Sequence, residues 1–486
     1  MSAEPRTTHS NLVQRVLDWL IQETAVCYIA GGYVRELLLG RPAKDIDLVV
    51  PRGAIPLARR LADATGGSFY ALDEDTDAAR IVYRTPERLI VDLAAMRGPD
   101  IIADLRAREF TINAMAIDVR DSSSAQPPIL DPCGGRQDLA LRVVRATNEY
   151  AFQQDPVRLL RAVRFAARLG LSIEPQTEAW LKRDAPLIVQ PSDERVRQEL
   201  ALIVSAPGAA DHLCRLDELG LLGLVLPEVV ALKGVAQSPP HLYDVYEHTL
   251  RAVAEVERLS GFPDARLTAE EEKALGPFAV ELGAHLAETL SEDRTRVTLL
   301  RFAALLHDVG KPATGAVDGE GRTRCFAHER RGGDMAKQIL TRLRFSAQET
   351  RLVSTVVAHH MRPGLLVKDR TTTPRAVYRF FRDTGDAGIE VLLLSLADHL
   401  AKQGSELRPD QWSRHLELVQ VMLDSYYRRP SEIVSPPHLI NGQDIMLLLG
   451  LKPGPQVGEL LEAVREAQAD GLVRTRDEAL DFLRQV

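Results

Sequence analysis

Cysteine is scarce. The 486 residues hold four, Cys27, Cys133, Cys214 and Cys325, far apart and with no CxxC pair. That spacing excludes a disulfide framework and a thiolate zinc site, and reads as reduced thiols of a cytosolic protein. No apolar run approaches the roughly 20 residues a membrane span needs. The N-terminal stretch "MSAEPRTTHS" is polar and carries no signal-peptide core. Basic charge is not in excess either: 60 Lys and Arg stand against 68 Asp and Glu, for a net charge of −8. This excludes a chain coated for bulk nucleic-acid binding but leaves room for a local basic groove. What is there is ordinary for a soluble cytoplasmic globular protein, 45% hydrophobic and 26% charged. The length fits about three domains, and no repeat of about 20–50 residues is seen.

Strand-like runs crowd the first 120 residues: "KDIDLVV", "ARIVYRT" and "RLIVDLAA" alternate with helical patterns. Beyond about residue 145 the apolar period is helical. "KGVAQSPPHLYD" and "RRPSEIVSPPHLINGQD" read as joints, and "TAEEEKALG" reads as an acidic insert of little information. The expected division is an α/β head (1–145), a helical neck (146–232), a helical domain rich in His (233–425) and a helical tail (426–486).

In "IAGGYVRELLLGRPAKDIDLVV" two carboxylates sit inside a strand pattern. Alternate side chains of a strand face opposite ways, so Ile46, Leu48 and Val50 share one face while Asp45 and Asp47 project together from the other. Two like charges this close raise each other's pKa, and a hard divalent cation such as Mg²⁺ relieves them. Upstream, Gly31 and Gly32 open a helix whose free N–H groups suit a phosphate, with Arg35 one turn in. Asp92, the one acid in "RLIVDLAA", is the candidate third carboxylate. If its strand neighbours the first, it joins Asp45 at a two-metal centre for in-line displacement.

These motifs, with "LRAREFTINAMAID", "DPCGGRQDL" and "DPVRLLRAVRFAARLGL", resemble in order those of class II tRNA nucleotidyltransferases and bacterial poly(A) polymerases, of the DNA polymerase β superfamily. The resemblance covers about the first 200 residues. It implies an α/β nucleotidyltransferase head with a small mixed sheet, and Mg²⁺-dependent, template-independent transfer of a nucleotide from CTP or ATP to a tRNA 3′ end. It places Arg108 and Asn113 at phosphate and ribose, and Asp155 and Arg158 at the base. That pair suits C and A, whose exocyclic amines donate to a carboxylate while Arg donates to the ring acceptor. Asp155-Pro156 also reads as a helix cap with Pro at the first position. Arg158, Arg161, Arg164 and Arg168 follow at helical spacing along one face, the first three as nucleotide contacts.

Three departures from the family stand out. The family Glu before Asp155 is Gln154 here, its Arg-Arg-Asp-Phe reads Ala107-Arg108-Glu109-Phe110, and only "MRGPDIIADLRAREF" separates the Asp92 strand from that motif. Relatives that add CC but not the final A have this connection shortened, so CC addition is expected here, with full CCA addition as the alternative. Poly(A) polymerase is the rival within the class, although such relatives usually end in a basic tail that "RDEALDFLRQV" lacks.

Further on, "YEHTLRAV", "LLHDVGKP", "FAHERRGG", "VAHHMRP" and "SLADHL" supply imidazoles and carboxylates that suit a catalytic divalent metal. The set resembles the HD phosphohydrolase superfamily. The resemblance implies His248, His307, Asp308 and Asp398 as metal ligands and His328 and His360 as those of a second metal, and leaves His359 and His399 incidental. A rival of another class is therefore an HD phosphohydrolase whose N-terminal half only binds RNA. A regulatory module would need both carboxylate sets idle. The tail, "INGQDIMLLLGLKPGPQVGELLEAV", resembles the end of HD-containing members.

Overall fold

The computed structural model describes residues 7–24, 26–43, 45–84, 88–124, 126–239, 241–291, 294–317, 319, 323–369, 372–403 and 408–485. The first six residues of the polar N-terminal segment lie outside these. The chain forms two compact units, which meet in sequence at Pro191 and Ser192.

The first unit is built on a six-stranded mixed sheet of β1 (Tyr28–Ala30), β2 (Asp45–Val50), β3 (Ser68–Asp73), β4 (Ala78–Tyr83), β5 (Leu89–Ala95) and β6 (Ala116–Asp118). Its order is β3-β4-β5-β2-β1-β6, with β2 and β5 parallel and the other pairs antiparallel. β2 is therefore interior, not an edge. Period-two alternation buries Ile46, Leu48 and Val50 with Ala79, Ile81, Val91 and Leu93. The helix Ala54–Thr65 covers that face through Leu57, Ala58 and Leu61. The opposite face is buried only where Ala30 and Val49 meet Ile101, Leu105 and Ala114. Its remaining stretch carries the polar residues.

The second unit is helical. Val245–Leu259, Arg296–Leu306, His328–Arg342, Ala347–His359 and Gly388–Gln403 pack on one another. The acidic "TAEEEKALG" is no featureless insert. It folds as the helix Ala269–Leu275, closed by a reciprocal cap between Thr268 and Glu271. Glu271 is buried and takes a two-pronged bond from Arg258, at 2.7 and 2.8 Å. The C-terminal helices Gly442–Leu449, Pro455–Ala469 and Arg476–Gln485 enclose their own core around Ile445, Val464 and Leu483. Arg379 ties Pro374–Thr384 to Glu466 of that segment at 2.6 Å. No helix of the described residues is long and apolar enough to cross a membrane.

Candidate functional site

In the head, strand register sets the chemistry. Asp47 lies opposite Asp92 across the parallel β2–β5 pair, and Asp92 lies opposite Arg80 across β5–β4. With Asp45 two residues before Asp47, three carboxylates and one guanidinium share one sheet face. The two strands are neighbours, as the joining of Asp92 to Asp45 requires, and the parallel register sets Asp92 directly opposite Asp47. Arg80, which sequence reasoning missed, grips Asp92 with both prongs: Nε donates to Oδ1 at 2.7 Å and a terminal NH₂ to Oδ2 at 2.9 Å. The alternation in "ARIVY" was the available signal, since Ala79, Ile81 and Tyr83 are buried and Arg80 must face the other way.

Burial raises the Asp45 and Asp47 carboxyls above the usual carboxylate range, and the charge of Asp92 adds to this. Arg80 at Asp45 and Arg108 at Asp47 offset only part of it. An all-oxygen set whose ionised form is strained by its own charge fits a hard divalent cation.

Gly31 sits at φ +70° at the head of the helix Gly32–Leu38. A Cβ there would come within 2.9 Å of Asp47 Oδ2 and 3.0 Å of an Arg108 nitrogen, so glycine is needed for both conformation and space. The amides expected to cradle phosphate are engaged inside the protein: Gly31 N–H donates to the Met115 carbonyl and Gly32 N–H to Asp47 Oδ2 at 3.3 Å. The turn thus orients a carboxylate. Arg35 is buried, donates to Asn113 Oδ1 and Glu36, and lies over the Phe165 ring at 5.2 Å. Asn113 Nδ2 donates to Glu109 Oε1 at 3.1 Å, and Arg108 Nε to Asp104 at 3.1 Å.

Asp155 does not cap the following helix. The helix runs Arg158–Leu169 with Val157 at its cap, because Asp155-Pro156 continues in extended and turn geometry after the short helix Ala151–Gln154. Asp155 instead accepts the Arg158 N–H through its backbone carbonyl at 3.0 Å. Arg158 is buried, Arg161 and Arg164 are half-buried and Arg168 is exposed, so the expected stripe runs from the interior outward. Burial lowers the Arg158 guanidinium below its ordinary value.

In the second unit six predicted residues converge. His248, His307, Asp308, His328, His360 and Asp398 are all buried. His248 Nε2 is 3.1 Å from Asp398 Oδ1, 3.2 Å from His307 Nε2 and 3.5 Å from Asp308 Oδ2. His307 Nε2 is 3.1 Å from Asp308 Oδ2, and His328 Nε2 is 3.4 Å from Asp308 Oδ1. Two overlapping groups, His248–His307–Asp308 and Asp308–His328–His360, have metal-ligand spacing.

Chain ends of secondary structure aim these rings. His307 and His360 each follow the last turn of a helix, where the carbonyl three residues back lacks a helical donor. Their Nδ1 atoms bond the Ala304 and Val357 carbonyls at 2.8 and 2.7 Å, and His328 Nδ1 bonds the Cys325 carbonyl at 2.9 Å. With Nδ1 bonded to a backbone carbonyl, Nε2 is the nitrogen each ring turns inward, the one that ligates a metal once it carries no proton. Asp308 Oδ1 and His328 Nε2 are buried without a hydrogen bond, which is what a cation between them would satisfy. Burial pushes His360 down to about 3, so its ring is neutral at physiological pH. Burial opposes charge on Asp308 and Asp398 as well, but His307 and Lys311 at Asp308, and Lys402 and His248 at Asp398, outweigh it and hold both well below the usual range.

The cluster opens into a cavity of about 220 Å³ whose lining includes Gln237, His241, Lys311, His328, His360 and Lys402. Lys311 Nζ is 2.6 Å from Asp308, and Lys402 contacts Asp398 one turn back on its helix. The reading of the sequence named neither lysine, although each stands three or four residues after a ligand carboxylate on helical spacing. Of the two neighbours read as incidental, His399 packs at 5.6 Å from Trp412 and His359 is half-buried.

A sheet face of carboxylates beside buried arginines, followed by a helical domain with a His/Asp cluster, defines a nucleotidyltransferase head joined to an HD domain. Family comparisons agree: the Poly A polymerase head domain matches residues 27–145, the probable RNA- and SrmB-binding site of polymerase A matches 170–232, and the HD domain matches 278–403. The chain is 35% identical to the A-adding tRNA nucleotidyltransferase of Deinococcus radiodurans, over 94% of each chain. It is 34% identical to the CC-adding tRNA nucleotidyltransferase of Geobacter sulfurreducens, over 94% of this chain and 91% of that one. It belongs to the tRNA nucleotidyltransferase and poly(A) polymerase family and is a template-independent RNA nucleotidyltransferase. The fold is shared with a CCA-adding enzyme solved with ATP, at TM-score 0.64 and 20% identity over 99% of this chain and 96% of that one. It is shared too with the Thermotoga maritima CCA-adding enzyme solved with tRNA, at TM-score 0.60 and 20% identity over 99% and 96%.

Proposed function

We propose that this enzyme adds C, as CC, to tRNA 3′ ends from CTP. The observation that carries nucleotidyl transfer is the register that sets Asp45, Asp47 and Asp92 on one sheet face. Asp45 and Asp47 would hold Mg²⁺, with Asp92 as third carboxylate. The cation supplies charge stabilisation at the attacking and leaving oxygens of the phosphoryl centre. The tRNA 3′-hydroxyl oxygen bonds the α-phosphorus, the bond to the bridging oxygen of the β-phosphate breaks, pyrophosphate leaves, and the hydroxyl proton passes to solvent or a carboxylate. Arg35, Arg108 and Asn113 hold triphosphate and ribose. Asp155 and Arg158 read the base, with Arg161 and Arg164 behind them. Gly31 and Gly32 keep Asp47 aimed.

Restriction to CC is supported by how the connection after β5 is tied. Met96 N–H donates to the Val50 carbonyl at 2.8 Å, Arg97 N–H to Asp104 at 2.9 Å, and Asp100 caps the helix Ile101–Arg106 by accepting from Ala103 N–H at 2.9 Å. A segment anchored at these points has no slack to widen a pyrimidine pocket for a purine. The test is incubation with tRNAs ending at the discriminator base, C or CC, with CTP and ATP given separately and products sized. CTP should extend the first two to CC, and ATP should leave CC ends unchanged. Efficient conversion of CC to CCA by ATP alone overturns the restriction, and processive addition of A to any RNA favours a poly(A) polymerase.

A second reading rests on the buried His/Asp cluster and its lysine-lined cavity: the HD domain is a metal-dependent phosphohydrolase. His248, His307, Asp308 and Asp398 would hold one divalent ion, with His328 and His360 offering a second place. Lys311 and Lys402 would face the phosphate.

A further inference from the structure

Strand register places Asp92 between unlike neighbours. Arg80 of β4 lies directly opposite it on one side and Asp47 of β2 on the other, and directly opposed residues share a face of the sheet. Two parallel bonds tie Asp92 to the first of these. Arg80 Nε donates to Oδ1 at 2.7 Å and a terminal nitrogen to Oδ2 at 2.9 Å.

Folding gains little from this pair. The two side chains are 40% and 30% exposed, and an ion pair that open to water adds little to stability. Its effect is geometric. An ionised carboxylate offers about four acceptor sites over its two oxygens. A guanidinium fork that takes one site on each oxygen fixes the plane of the group and leaves one site on each. To grip a cation with both oxygens, Asp92 would have to release Arg80. A lysine would supply the same charge as a point and could not fix the plane.

Resting on the nucleotidyl-transfer reading above, we propose that Arg80 is a positioning residue for the third carboxylate: its two-pronged grip sets the plane of Asp92, so that a single oxygen faces the centre formed with Asp45 and Asp47 when the RNA hydroxyl attacks. Without the fork Asp92 swivels, and a misplacement of about 1 Å at a reacting centre costs on the order of a hundredfold in rate.

Wild-type enzyme and Asp92→Ala are assayed first, by single-turnover CTP addition to tRNA. If the wild type incorporates neither C nor A, the nucleotidyl-transfer reading fails. If Asp92→Ala keeps the wild-type rate, the third-carboxylate reading fails and takes the proposal with it. Given an active wild type and a slow Asp92→Ala, Arg80→Met should lower the maximal rate by about tenfold to a hundredfold, while the CTP concentration for half-maximal rate stays within about threefold. Arg80→Lys keeps the charge but loses the fork, and should be as slow as Arg80→Met within about threefold. In the Asp92→Ala background Arg80→Met should cost no more than about a further twofold, since nothing is left to aim. Mn²⁺ binding to the free enzyme, followed by electron paramagnetic resonance, should be no weaker in Arg80→Met than in the wild type, because Asp45 and Asp47 remain and one positive charge has gone. A wild-type rate in either folded Arg80 variant overturns the proposal. So does a change confined to the CTP concentration needed, or a full Arg80 effect in the absence of Asp92, since each gives Arg80 a role apart from Asp92. Weakened Mn²⁺ binding, or failure of both Arg80 variants to fold, overturns it as well by making Arg80 a support of the whole face.

Discussion

The head and the HD domain each gather acids at a candidate site for a divalent ion, and they do so by opposite means. In the head three carboxylates stand on a sheet face, partly open to solvent, and arginines temper their repulsion. Asp92 is gripped by Arg80, and Arg108 lies beside Asp47. In the HD domain the donors are wholly buried, and the acids are balanced by imidazoles whose tautomers the backbone fixes. The difference follows from the elements that carry the donors. A strand brings same-face residues together in register with its neighbours and leaves that face uncovered. Helices converge on their own interior, so donors on or directly after five of them are enclosed. An open, all-oxygen centre suits a hard ion that must admit and release a triphosphate and an RNA end. An enclosed nitrogen-rich centre suits a resident, softer ion and a small phosphate ester.

The largest expected effect tests the head. Asp47→Asn keeps the shape and the bond from Gly32 N–H while removing one charge, and should cut nucleotide incorporation by about a thousandfold or more with folding intact, measured as single-turnover CTP addition to tRNA. Near-normal incorporation by a folded variant would remove Asp47 from the metal platform, and with it the contrast between the centres.

The next effect belongs to the enclosed centre. His307→Ala removes the ring that meets both His248 and Asp308. Metal-dependent release of phosphate, or opening of a 2′,3′-cyclic phosphate, should fall by about a hundredfold or more, and bound metal measured by elemental analysis should fall with it. CTP addition should stay within about twofold. Loss of both activities would make the HD cluster a structural support instead of an independent site.

How much of this was legible in the sequence differs between the two units. The six candidate residues of the HD domain were readable because adjacent His-Asp and isolated His residues in helical patterns have few other uses, and the structure brings all six together. The DxD face of β2 was readable from alternation alone. What escaped depended on partners far apart in sequence. Arg80 meets Asp92 through antiparallel pairing that no local pattern specifies. Asp155-Pro156 misled because the same dipeptide that opens many helices also prolongs a turn, and here Arg158 begins the helix three residues later. The capped helix at Thr268 was legible in principle from its Thr-x-x-Glu spacing, and its acidity concealed it.

The smallest effect concerns the unrelieved charge that separates the head from the HD cluster. In the folded head Asp45 and Asp47 have raised pKa values, caused first by burial and then by neighbouring carboxylates. The folded state therefore holds protons on these groups more tightly than the unfolded chain does. Stability from this pair is greatest below the unfolded carboxylate pKa near 4, and it falls as pH rises from there through the raised folded values. Above that window the cost is constant. In the HD cluster the sign is reversed, since Asp308 and Asp398 are held low and favour the folded state once ionised. Replacing both head acids, Asp45→Asn with Asp47→Asn, should accordingly raise the melting temperature of chelator-treated protein at pH 7.5 by about 2–4 °C, and by less at pH 4.5. Mg²⁺ should narrow the gap at pH 7.5 by stabilising the wild type alone, because only the wild type offers it an ionised pair. Calorimetry at the two pH values, with and without Mg²⁺, decides the matter. A double variant that melts below the wild type at pH 7.5 without metal would mean that Arg80 and Arg108 already neutralise the face, and that the head needs no cation to relieve it.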